Sequence, residues 1–86
     1  MPELCRFYGI IVRMFSGDHP PPHFHAVYQG EEVQVNLLTL EILRGGLPRR
    51  ALALVLEWAA LHRNELQGAW DATSRNIEPA KIKPLE

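Results

Sequence analysis

The sequence predicts an α+β domain in which an antiparallel three- to four-stranded β-meander carries one long C-terminal helix packed on one face. Three observations lead there. Residues 6–37 are rich in β-branched and aromatic side chains interrupted by turn residues, a Gln29-Gly30 pair separates two stretches of alternating polarity, and the stretch from Pro48 to Leu66 holds no helix breaker after its first residue. A run of strands followed by a helix buries one apolar sheet face against one apolar helix stripe.

The first strand is expected from Arg6 to Phe15, ending at the turn cluster Ser16-Gly17-Asp18. Pro20 to Pro22 lack ladder donors and favour an extended polyproline II connection, which leaves His19 on a loop and His23 at the entrance to the next strand. His23 to Tyr28 and Glu31 to Leu37 then form a hairpin, and its two-residue loop fixes the register. Tyr28 falls opposite Glu31, Ala26 opposite Val33, His25 opposite Gln34 and His23 opposite Asn36. Phe24, Ala26, Tyr28, Val33, Val35 and Leu37 share an apolar face, while His23, His25, Glu32, Gln34 and Asn36 share the other, solvent-facing one with Val27.

A short fourth strand is expected at about Leu40 to Leu43, closed by Gly45-Gly46, with Pro48 opening the helix. At about 100° per residue, Leu47, Ala51, Leu54, Val55, Trp58, Ala59, Leu61, Leu66 and Trp70 line one broad stripe. Arg50, Glu57, Arg63 and Asn64 mark the wet side. The helix runs to about Ser74, so residues 1–75 make the single domain, and residues 76–86, broken by Pro79 and Pro84, make an extended C-terminal tail.

At 86 residues the chain is one small domain, 47% hydrophobic and 22% charged, which suits a folded protein that gains from self-association. A formal net charge of −1 supplies no global field for nucleic acid or an acidic membrane, so any polyanion contact needs a local patch. The lone Cys5 allows no internal disulfide, and no apolar run approaches the length of a membrane span; a cytoplasmic location is expected.

His19, His23 and His25 fall within seven residues, a density that points to a proton, a metal or an anionic partner. Residues two apart on a strand point the same way, so His23 and His25 can act as an acid–base pair, or as metal ligands with His19 as a third imidazole and Asp18 or Glu32 completing the set. A divalent metal is therefore the one cofactor the pattern admits. A structural use of the rings as hydrogen-bonding struts competes with both. Arg49 and Arg50 stand at the helix N-terminus, where the dipole disfavours cations, and with His19 they are the candidate anion contacts. His62 and Glu65, three residues apart, are expected to form a structural hydrogen-bonded pair.

Arg6-Phe7-Tyr8-Gly9, Asp18-His19-Pro20 leading to Pro22-His23-Phe24-His25, Leu47-Pro48, and Trp58 with His62, Glu65, Leu66 and Trp70 together give a chain that resembles the bacterial domain-of-unknown-function 4160 family over nearly its whole length. Thr39-Leu40-Glu41 departs from relatives, which more often carry a glycine turn there. The resemblance implies a small cytoplasmic protein, often encoded beside members of the domain-of-unknown-function 2442 family in what looks like a toxin–antitoxin or partner pairing. It implies no particular chemistry.

The first expectation for function is a small protein-binding module, one component of a toxin–antitoxin-like pair, with a small protein partner or a second copy of itself. The alternative is an RNase-like or metal-assisted hydrolase built on the histidine cluster. A nucleic-acid-binding regulator is a further alternative, which the charge does not favour.

Overall fold

A computed structural model describes residues 3–86; residues 1 and 2, part of the expected domain span, lie outside the described residues. Five strands form one antiparallel sheet in sequence order: β1 (Glu3–Phe7), β2 (Ile10–Arg13), β3 (His23–Tyr28), β4 (Glu31–Asn36) and β5 (Ile42–Gly45). Two helices follow, α1 (Arg49–Leu61) and α2 (Arg63–Ser74). The α+β class and the meander are as expected, with one strand and one helix more than expected.

The extra strand comes from Tyr8-Gly9. Tyr8 (φ 49°) and Gly9 (φ 80°) repeat the left-handed pair of Gln29 (φ 48°) and Gly30 (φ 83°), so both loops are two-residue hairpin turns of the mirror-image type. Arg6 to Phe15 is thus two strands and a turn. At the second loop all six expected pairs, from His23 opposite Asn36 to Tyr28 opposite Glu31, are present.

The last strand begins at Ile42 because Asn36 holds the preceding turn. Its side-chain Oδ1 accepts from the amides of Leu38 (2.8 Å) and Thr39 (3.1 Å), while its own amide donates to the Glu41 carbonyl (2.9 Å). Leu40 sits at φ 65°, a conformation that glycine adopts more readily than leucine.

The expected single helix breaks at His62 (φ −125°), which ends α1 and precedes α2. No Pro or Gly marks the spot. One tertiary contact lies at the break: Arg63 donates to the Leu38 carbonyl (2.8 Å). Leu61, placed on the buried stripe by the uniform-helix count, is 66% exposed, since it stands about 80° from Ala51 on the side away from Val55 and Ala59. Ala51, Val55, Trp58 and Ala59 of α1 and Leu66 and Ala69 of α2 are buried.

Trp58 anchors the core. It is fully buried, with the Phe7 and Phe24 ring centroids 5.7 and 5.9 Å away. A large side chain so buried contributes about 1.5–3 kcal/mol from transfer alone. Residues 77–86 have no regular secondary structure, yet they are pinned: Ile82 donates to the Leu4 carbonyl (3.0 Å), Lys81 Nζ to the Glu3 carbonyl (2.7 Å), and Trp58 Nε1 to the Lys83 carbonyl (2.8 Å). This segment follows β1, leaving β5 as the sheet edge with exposed apolar side chains, Ile42 and Leu43. Burial pushes the Cys5 thiol up to about 12 and makes it a core group rather than a nucleophile.

Candidate functional site

His23 and His25 alternate with Phe24 along β3, so the pleat turns both imidazoles away from the face that meets Trp58. They are not solvent-facing as expected: each is only 7% exposed. Phe15 lies edge-on to His25, with centroids 4.7 Å apart, and Trp70 of α2 approaches His23 to 5.4 Å. The break at His62 thus leaves α2 free to bring Trp70 to the histidine face.

The loop between β2 and β3, with a cis Pro20–Pro21 bond in place of a uniform extended run, delivers Asp18 to both rings. Asp18 Oδ2 is 3.2 Å from His23 Nε2 and 3.0 Å from His25 Nε2. The opposite ring nitrogens are also held, His23 Nδ1 by the Pro21 carbonyl (2.8 Å) and His25 Nδ1 by Glu32 Oε2 (2.7 Å). Glu32 lies across from Val27 on β4, two residues along from Gln34, the partner of His25, and so on the same face.

Carbonyl and carboxylate oxygens only accept, so both Nδ1 atoms carry hydrogen and donate. That fixes the tautomer, and in a neutral ring it leaves each Nε2 with its lone pair aimed at Asp18 Oδ2. Two neutral rings would thus set three electron-rich atoms against one another. Either protons on the Nε2 atoms or a single cation resolves the conflict.

The spacing fits a cation. Two ligands at about 2.1 Å from a common ion, at angles from octahedral to tetrahedral, lie about 3.0–3.4 Å apart, the range of the two Asp18 spacings, two of the three that a shared ion requires. Asp18, His23 and His25 each offer one ligand atom, all within 4.8 Å of one another. The Pro21 carbonyl and the Glu32 carboxylate occupy the places of groups that orient metal-bound histidines from behind. The three face a cleft of about 450 Å³ that is also lined by His19, Gln34, Leu43 and Arg44.

The remaining expected site residues are placed as follows. His19 is exposed and borders the cleft, while Asp18, offered from the sequence as a completing ligand, is the group that converges with the two buried rings. Arg49 and Arg50 are exposed on the first turn of α1, and Arg50 lines a separate groove with Tyr8 and Tyr28. Arg44 is the arginine of the histidine cleft. The cross-strand row His25, Gln34, Arg44 places it there, one residue beyond the expected end of the last strand at Leu43. His62 Nδ1 and Glu65 Oε1 form the expected hydrogen bond, 39° from coplanar on Trp58 and away from the cleft.

The family model described as Domain of unknown function (DUF4160) matches residues 9–71, which include every cleft residue named above. The chain belongs to that family. No curated protein and no solved structure matches it. Among the described residues, no helix is long and apolar enough to cross a membrane.

Proposed function

We propose that this DUF4160 protein holds a divalent metal on Asp18, His23 and His25 and uses it for metal-assisted hydrolysis. One observation carries the proposal: both imidazoles have Nδ1 locked by an acceptor while both Nε2 atoms meet the same carboxylate oxygen at 3.0 and 3.2 Å. Two imidazoles and a carboxylate are the donor set of catalytic zinc and of related first-row ions, and three protein ligands leave a coordination position for water. That position opens on the cleft.

In this account His23 and His25 are ligands rather than the acid and base. A metal held by Asp18, His23 and His25 would supply Lewis acidity to a water at its open position, and His19, the exposed imidazole at the cleft rim, would be placed to take that water's proton and to return it to the leaving oxygen as the ester bond breaks. The test is hydrolysis of a phosphodiester chromogen by zinc-loaded protein. Wild type is expected to turn over. His25→Ala loses zinc and activity together, while His19→Ala keeps zinc and loses about 10²–10⁴ in rate. Zinc-loaded wild type without turnover on phosphate or carboxylate esters would contradict hydrolysis.

A second role, binding of a small protein partner in a toxin–antitoxin-like pair, is favoured by a different observation. Leu38, Ile42 and Leu43, 53%, 46% and 42% exposed, cluster on the uncovered β5 side of the sheet. An extended partner strand would pair there. Size exclusion with a domain-of-unknown-function 2442 protein is expected to give one joint peak, lost in Ile42→Lys; two separate peaks at micromolar concentration would contradict it.

A further inference from the structure

We infer that the cleft binds the phosphoryl group of a phosphate ester, bridging the metal and Arg44; this deepens the metal reading and rests on it. The sheet register builds the second half of the site. His25 pairs with Gln34, and Gln34 pairs with Arg44, so the three stand in one cross-strand row on the same face. With strands about 4.8 Å apart, the Arg44 backbone lies two spacings, about 10 Å, from that of His25. Its long side chain starts at that distance and borders the same cleft as the metal ligands.

Arg44 is exposed and has no ion-pair partner among the described residues. A guanidinium offers a planar fork of donors that matches two oxygens of a phosphoryl group. Gln34 stands between Arg44 and His25, half-buried, with two amide donors. Metal, guanidinium and amide together address three oxygens of a tetrahedral group, one more than a carboxylate presents. The charges agree. A divalent ion with Arg44 outweighs the negative Asp18 and Glu32, making the cleft locally positive in a chain whose formal net charge is −1. Leu43 and Pro20 give the organic part of the ester an apolar wall.

The test uses phenylphosphonate, a non-hydrolysable phosphate-ester mimic, titrated calorimetrically into the full-length zinc-loaded protein. Binding is expected to weaken at least about tenfold in Arg44→Ala, the loss of a charge-assisted contact, with zinc affinity unchanged. Arg44→Lys is expected to fall in between, because the charge remains and the fork is lost. Equal phosphonate affinity in wild type and Arg44→Ala, with zinc binding normal in both, would overturn this inference and leave the metal centre standing. Phenylacetate binding as tightly as phenylphosphonate would overturn the assignment to phosphate. Absence of zinc binding to wild type would overturn the metal centre and this inference together.

Discussion

The two faces of this sheet are built by different physics from alternate residues of the same strands. On one face Phe24, Ala26, Val33 and Val35 share the core with Trp58 and are all fully buried, so what matters there is volume and shape. On the other, His23 and His25 are nearly as buried, but every ring nitrogen has a named oxygen partner. Burying such groups without partners costs about 1–3 kcal/mol each. The first face therefore accounts for stability, and the second is where we place the proposed metal chemistry. Among the described residues no buried side-chain nitrogen or oxygen lacks a partner, the two Nε2–Asp18 contacts needing a proton or a cation between their atoms.

That contrast breaks first at Trp58. Trp58→Ala is expected to cost about 3–5 kcal/mol by cavity formation, with loss of the tail's anchor at the Lys83 carbonyl. At about 4–8 °C per kcal/mol for a domain of this size, the melting temperature falls by well over ten degrees. A thermal melt followed by circular dichroism checks it. On the other face, Glu32→Gln is expected to leave the melting curve of the metal-free protein little changed and to weaken zinc binding about 10–100-fold, because the carboxylate only orients His25. A drop in stability matching that of Trp58→Ala would erase the distinction between the faces.

Gly45 joins the two faces through the backbone. At φ 71° a Cβ there would stand 2.2 Å from the Glu32 carbonyl oxygen. Gly45→Ala is expected to cost at least about 1–2 kcal/mol and to lower zinc affinity as well, since β4 must shift under Glu32. Chemical denaturation and a zinc titration on one sample separate the two effects.

The smallest expected effect concerns Cys5. Its thiol, ordinarily ionising near 9.0, is pushed up to about 12, chiefly by burial. The unfolded chain therefore releases this proton first as pH rises, so Cys5 contributes stability that is present below pH 9.0 and is lost progressively toward about 12. At pH 8 iodoacetamide is expected to label the unfolded chain and spare the native one.

The hairpin around Gln29-Gly30 was legible because a two-residue loop between alternating strands leaves one register open. The identical loop at Tyr8-Gly9 was not. Tyrosine at positive φ is uncommon, and the apolar run on both sides masks the turn. The break at His62 left no mark either, because Leu66 and Ala69 keep the same helical phase as Ala51 and Val55 while the contact at the break, Arg63 to the Leu38 carbonyl, is distant in sequence. For the site, His23 and His25 could be placed on one face by period alone. Asp18 against His19 depended on how the proline loop turns, and Arg44 on where β5 ends.

The claim on which the rest stands is that a metal ion fits among Asp18, His23 and His25. A crystal soaked in zinc and measured at the zinc absorption edge tests it most directly. One anomalous peak is predicted at about 2.0–2.2 Å from Nε2 of both histidines and from an Asp18 carboxylate oxygen. A crystal whose anomalous density lies only on exposed carboxylates, with Asp18 still hydrogen-bonded to both rings, would contradict it.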